Sequence, residues 1–504
     1  MEKFRINPRR ASLLVLTSIA VTLGSCSSDY SGSNVVAPNV NFTALSSSNS
    51  IVKYNATNLD MPISTLAITG LVGGEQIVSI DYRPATGQLY GLGSSSRLYF
   101  INEESGLATA IGTTAFTPLI SGTNASINFN PAVDRIRLVS ESGQNLRLNP
   151  ELGTVAATDT SINGGTTPQI GAIAYTNSTA GATATVLYDI DFGGDKLYIQ
   201  NPPNGGTLEL VGDLTVDFQG VGDFDIIPDN SQALAVTYNA TESNLFTVNL
   251  TTGKAVNVGT FGLPIIGIAF KTNPIAYAAT MTNELYRFNP VTGSATSVAF
   301  VGLLASETVV GLDFRPINGT LFAVTNQSRL LTVNTATGQV TTVGSTLSPA
   351  ISGTSFGFDF NPTVDRIRLV SNSGQNIRLH PDLGTVVSTD TSLNPGTPSV
   401  NAAAYANNYA GATTTTLYVI DSGTDMLYMQ NPPNNGTLVP VGALGVNIDA
   451  DSGFDIGGSS NAAFALLKVS GVTSVYSINL TSGAATKITD ISIQPTAMAL
   501  GLGF

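Results

Sequence analysis

The chain of 504 residues has no tryptophan, one histidine and one cysteine. Each shortage removes a class of chemistry. With Cys26 alone, no disulfide can form within the chain, and no second thiol can act as a nucleophile. His380 is the single histidine, which disfavours Ser-His-Asp catalysis and His-ligated zinc. Charge is sparse as well. Charged residues make up 11%, the net charge is −13, and no basic run of five or more exists. An acidic surface repels phosphate backbones, so nucleic acid is excluded as a partner. No GxSxG, P-loop or GxGxxG motif is present. The missing Trp weakens a carbohydrate-stacking platform, although 16 Tyr and 21 Phe remain. Helical periodicity is nearly absent too, since Gly, Pro or β-branched residues interrupt every apolar i, i+3, i+4, i+7 face.

The apolar run Leu13 to Leu23 is too short to span a bilayer as a mature helix. It follows a basic stretch ending in Arg9-Arg10 and precedes Leu23-Gly24-Ser25-Cys26, so residues 1–25 read as a secretion signal. The tetrad resembles the lipobox of bacterial lipoproteins. That resemblance implies lipidation of Cys26, with palmitate among the acyl groups, and makes this cysteine the new N-terminus. Ser27 in place of Asp after it implies the outer membrane, with either the periplasmic or the cell-surface side open. Residues 26–40 read as a flexible tether. Removing residues 1–25 takes away four cations and one anion, which moves the net charge from −13 to −16.

What the chain does contain, it contains twice. Residues 130 to 154, NPAVDRIRLVSESGQNLRLNPELGT, return 231 positions later as NPTVDRIRLVSNSGQNIRLHPDLGT, with 20 of 25 residues identical. Between turn signals, short alternating runs recur in fours, such as Ile77 to Tyr82, Gln88 to Leu92, Arg97 to Ile101 and Ala108 to Gly112. Units of about 46 residues begin near Ile77, Ser126, Gly171, Gly222 and Ile266, a length usual for a propeller blade.

The expected fold is therefore all-β, with two tandem β-propellers of five four-stranded blades over residues 41–271 and 272–504; the alternative is one ten-bladed ring. Read consecutively, the unit begun near Ile266 takes its outer strands from the start of the next half. The ends suggest otherwise. Residues 42 to 55 resemble residues 276 to 289 but lack a preceding inner strand, while Pro495 to Phe504, the counterpart of Pro264 to Phe270, lacks outer strands. Each half can then close its own ring by pairing its first and last strands.

The passages VDRIRLVSxSGQNxRL, LYxIDxGxDxLYxQNPPNxGTLxxVG and GxDFRPxxGxLFAV are similar to the bacterial domain of unknown function numbered 4394, in two copies over about residues 42 to 504. The resemblance implies no activity and no catalytic residues.

Comparison of the two halves singles out polar candidates. Ten of the eleven arginines after residue 25 form matched pairs: Arg83/Arg315, Arg97/Arg329, Arg135/Arg366, Arg137/Arg368 and Arg147/Arg378. Arg135 and Arg137 stand two apart and so share a strand face. Guanidinium forks suit an anion or sugar-acid site, or equally ion pairs that tie blades together. Acids retained at matching positions are Asp81/Asp313, Asp134/Asp365 and Asp225/Asp455. Asp81, Asn128 and Asp225, repeated by Asp313, Asp359 and Asp455, fall on inner strands, where a ring of oxygens can hold Ca²⁺ or can bond neighbouring backbone. The Asp449-to-Asp455 cluster hints at calcium, yet its first-half counterpart has Gln219 and Val221. Gln200-Asn201-Pro202-Pro203-Asn204 recurs as Gln430 to Asn434 and reads as a rigid turn leaving a strand. His380 faces Asn149 in the other copy, so a site kept in both halves does not use histidine.

These features point to an envelope-anchored lipoprotein that serves as a non-catalytic binding or interaction scaffold, held to the membrane by lipid and meeting an envelope protein or glycan. The alternative is a glycan lyase or hydrolase that uses carboxylates and arginines at a channel mouth, because glycosidic chemistry needs only two carboxylates.

Overall fold

The alternating runs form antiparallel sheets in the computed structural model, which describes residues 36–449 and 452–504. Among the described residues there are ten sheets of four strands each. No described helix is long and apolar enough to cross a membrane. The inner strands of blades 1 to 5 are Ile77–Tyr82, Ala125–Asn130, Ile170–Tyr175, Val221–Ile226 and Ile265–Ala269. Those of blades 6 to 10 are Val309–Arg315, Phe356–Asn361, Val400–Tyr405, Ser452–Ile456 and Pro495–Leu500. Each set of five packs in cyclic order, last against first, to give two rings. Inner strands lie between neighbouring blades and are buried almost throughout, whereas outermost strands such as Thr154–Thr158 alternate exposed and half-buried residues. Burial on both faces explains why inner strands read as apolar runs with small residues interspersed.

Ring closure is decided by strand pairing. Blade 5 is completed by Asn41–Ser46, Ser50–Asn55 and Ser64–Ala67, with Thr43 opposite Ala269. Blade 10 is completed by Ala276–Thr280, Glu284–Phe288 and Ala295–Ala299, with Tyr277 opposite Ala499. These pairings exclude a single ten-bladed ring. They also correct the consecutive reading: the strand beginning at Ile265 takes its outer strands from the start of its own half. The physical reason is that closure within the half pairs an edge that would otherwise stay open at Asn41–Ser46. The same register aligns Ala269 with Ala499, so Pro495 corresponds to Ile265 rather than Pro264, and Thr496 to Ile266.

A recurrent Asn-x-x-x-Gly turn joins third and fourth strands. At Asn249 the side-chain oxygen accepts the N–H groups of Thr251 and Thr252, and Gly253 follows at φ +78°. A Cβ at Gly253 would stand 2.7 Å from the backbone of Gly212 in blade 3, so glycine answers both the turn and the approach of the next blade.

Both rings belong to one compact unit, Ala37–Phe504. The same loop from each ring is inserted into the other. Ala180 packs on the apolar cluster of Tyr277 and Phe314, and its counterpart Ala410 packs on the cluster of Tyr90 and Phe129. Tyr277 donates its hydroxyl to the Ala85 carbonyl at 2.8 Å, and Gly503 N–H donates to the Thr86 carbonyl at 2.8 Å.

Candidate functional site

The inner edge of a blade leaves backbone N–H groups that no strand pairs, and a buried donor without a partner costs about 1–3 kcal/mol. Side chains at matched inner-strand positions take up these groups. Asp81 accepts from Tyr82 in its own strand and from Phe129 in the next blade at 2.6 Å. Asn128 accepts from Tyr175, and Asp225 from Phe270 at 2.6 Å. In the second ring Asp313 accepts from Phe360, Asp359 from Tyr405 and Asp455 from Leu500. Apart from the Tyr82 bond, each joins one blade to its neighbour.

Burial pushes these carboxyl groups up. Asp81 and Asp313 lie well above the usual carboxylate range, through burial first and then the charges of Asp225 and Asp455 respectively. Asp225 and Asp455 are each raised to about 7 by burial, held there against the lowering effect of their backbone N–H bonds. In the first ring the Asn128 amide donates to Asp225 at 3.3 Å. Its counterpart Asp359, buried and pressed by Asp313 and Asp455, is raised well above normal and bonds Asp455 in the same place. A carboxyl group can copy an amide donor only while it keeps its proton.

One oxygen from each of Asp313, Asp359 and Asp455 falls within 4.8 Å of the others. Five of the six oxygens of this trio accept backbone N–H groups, which is not the open oxygen cage that Ca²⁺ prefers. Residues 450 and 451 of the Asp449-to-Asp455 cluster lie outside the described residues, as does Cys26.

A second polar layer is missed by reading the sequence for matched residues, because it occurs once. Buried Asp223 accepts from Ser126 at 2.9 Å and from Ser79 at 3.2 Å. The corresponding positions in the second ring are Gly453, Gly357 and Gly311. The joint replacement of an acid and two hydroxyls by three glycines is the signal that could have revealed the contact.

Arg83 holds the rings together. It is wholly buried, forks onto Asp134, meets Glu151 at 2.9 Å and donates to the Gly319 carbonyl of the second ring at 3.1 Å. Thr335 of the second ring also donates to Asp134. The counterpart Arg315 pairs with Asp365 and Asp382, but those two acids are 29% and 60% exposed.

Arg97 donates to the Thr113 carbonyl and its counterpart Arg329 pairs with Glu307, whereas Arg135, Arg137 and Arg147 line a cleft of about 250 Å³ on the first ring, between blades 2 and 3. Arg137 donates to Asn145 at 2.8 Å, Asp159 at 2.6 Å, Asn204 at 2.7 Å and the Tyr175 hydroxyl at 3.4 Å. Arg147 forks onto Asp159 at 2.8 and 2.9 Å. Arg135, half-buried on the same face, donates to the Asp134 carbonyl at 2.8 Å and has no acid within ion-pair distance among the described residues. The prolines of the Gln200-to-Asn204 turn form the far wall. Two guanidinium groups, of Arg137 and Arg147, thus share the Asp159 carboxylate, and Arg135 adds a third cation to the same cleft.

The second ring repeats the arrangement closely. Arg368 donates to Asn376, Asp390 and Asn434, each at 2.7 Å; Arg378 forks onto Asp390 at 2.8 and 2.9 Å; Arg366 donates to the Asp365 carbonyl at 2.7 Å. The acid partners Asp159 and Asp390 are absent from the sequence-derived candidates, although Thr-Asp-Thr-Ser recurs around both. Beside the first cleft, Asp189 is wholly buried, with neither carboxyl oxygen hydrogen-bonded, and burial raises it strongly despite Arg137. Val419 takes its place in the second ring.

The sequence matches the family described as Domain of unknown function (DUF4394) over residues 50–269 and again over 284–501. No curated protein matches it. Among solved structures, it is similar to the crystal structure of the extracellular domain of BT4673 from B. thetaiotaomicron, at 11% identity and a TM-score of 0.26. That match covers 91% of this chain and 66% of the other, just under two thirds of its length.

Proposed function

The chain belongs to the Domain of unknown function (DUF4394) family twice over, and since that family brings no activity with it, we propose from the chain's own geometry a non-catalytic, envelope-anchored scaffold that binds acidic glycan through its two arginine clusters. The supporting observation is the duplicated set of three arginines, two sharing one carboxylate and the third, Arg135 or Arg366, free of acid partners among the described residues. A planar fork of donors beside tyrosine and proline walls suits the carboxylate of a sugar acid. The raised acids matched in both rings, Asp81, Asp225, Asp313 and Asp455, favour binding over glycosidic chemistry, because they cap backbone at the inner strands, and Asp189 beside the first cleft has only Val419 at its place in the second ring.

On this reading lipid on Cys26 holds the rings at the outer membrane. The test is retention of residues 27–504 on a polyuronate matrix against a neutral glucan matrix, at two salt concentrations. We expect salt-sensitive retention on the polyuronate that the double variant Arg135→Ala, Arg366→Ala loses. Retention unchanged in that variant, or depolymerisation of the polyuronate, would defeat the proposal. For the anchor, Cys26→Ser is expected to abolish incorporation of labelled palmitate and to release the protein from membranes.

A further inference from the structure

The two rings keep their arginine clusters but differ at the mouths of their channels. In the second ring a cavity of about 350 Å³ opens at the starts of the inner strands, lined among others by Thr308, Ser355, Phe356, Asn401 and Thr496. That volume is at the small end of the roughly 300–1,000 Å³ of small-molecule sites. None of its described lining residues carries charge.

Three of these residues have no equivalent in the first ring. Ala125 stands for Phe356, Gly171 for Asn401 and Ile266 for Thr496. The first ring also lays the Phe192 side chain over the region: a Cβ at Gly171 would be 2.7 Å, and one at Gly222 3.0 Å, from its ring atoms. The ring is anchored edge-on against Phe218. In the second ring Ser422 replaces Phe192 and turns its hydroxyl to the Ser399 carbonyl at 3.3 Å. An aromatic cover is therefore removed where an aromatic wall, an amide and a hydroxyl are added. The four changes act in one direction within a chain whose neighbouring arginine strand is nearly unchanged.

We infer that the mouth of the second ring is a binding site for an uncharged, hydroxyl-rich ligand of about monosaccharide size. The donor and acceptor types on its wall match hydroxyls. Thr496 uses its hydrogen on the Val309 carbonyl at 2.7 Å and so offers lone pairs, while Thr354 accepts from Asn372 at 2.8 Å and so offers its hydrogen. An ion would meet no counter-charge among the described lining residues, and a purely apolar ligand would strip water from these groups without replacing their hydrogen bonds. Phe356 supplies a flat apolar face for the C–H side of a sugar ring. This site is independent of the arginine clusters.

The experiment is calorimetric titration of residues 27–504 with glucose, galactose, mannose and N-acetylglucosamine, and with glucuronate as the charged probe. At least one neutral sugar is expected to bind more tightly than glucuronate. The variant Asn401→Gly, Thr496→Ile, which installs residues the first ring already folds with, is expected to weaken it by at least about tenfold, the loss of one or two hydrogen bonds. Phe356→Ala gives the same readout through a different contact. The inference fails if none of the four sugars binds, if binding survives both mouth variants, or if glucuronate binds as well.

Discussion

Asp359 and Asn128 occupy equivalent places with one proton between them in chemical terms. Asn128 donates to Asp225 as an amide, and Asp359 can donate to Asp455 only as an acid. Carboxyl groups raised on folding bind protons that the unfolded chain releases, so their stabilisation is complete below about pH 4 and is lost as pH rises through the folded value. With Asp225 and Asp455 raised to about 7, the loss falls between about pH 4 and 7 for those two, and the more strongly raised Asp359 extends it upward in the second ring. Melting followed from pH 5 to pH 8 should show Asp359→Asn flattening the decline and Asn128→Asp steepening it. Equal declines in both variants and the parent would refute the shared-proton assignment. That acids lie on inner strands was legible from their matched positions. Their partners were not, because a backbone N–H across a blade boundary leaves no mark on composition or spacing.

At the scale of the element, the arginines of one strand have divided roles. Arg137 is locked by Asn145, Asp159 and Asn204, whereas Arg135 two residues earlier is joined only to a carbonyl. The Gln200-to-Asn204 turn, read from sequence as a rigid exit from a strand, also carries Asn204 to Arg137 and so fastens blade 3 to blade 2. Arg83 and Arg315 illustrate how context grades one motif. Removing a partner from a buried ion pair costs about 3–5 kcal/mol, and a pair with exposed acids costs far less. Arg83→Ala is therefore expected to destabilise the chain by about 3–5 kcal/mol in urea unfolding and Arg315→Ala by clearly less. Equal losses would mean that the second ring does not bury Arg83 in solution. The difference is invisible in sequence, since both arginines sit in the same Asp-aromatic-Arg-Pro context.

For the whole molecule, each ring is closed by its own terminal strand, yet the two share buried contacts through Arg83, Tyr277 and the reciprocal insertion of Ala180 and Ala410. Residues 41–271 and 272–504 expressed apart should each show β circular dichroism and a cooperative melt, both at a lower temperature than the joined chain. Failure of either to fold would contradict closure within the half, and melting unchanged from the full chain would contradict a stabilising contact between rings. The sequence by itself determined the strands, the duplication, the five-unit count and the choice between residues kept in both copies and residues kept in one. Periodicity of two, turn residues and a 231-residue repeat are local or self-referential signals and need no third dimension. Only the tertiary structure decided that Asp159 answers Arg137, that inner acids cap backbone, and that Phe192 packs over the inner-strand glycines of one ring while the equivalent end of the other holds a cavity. Those outcomes depend on which blades meet and at what register, and strand pairing across hundreds of residues sets both.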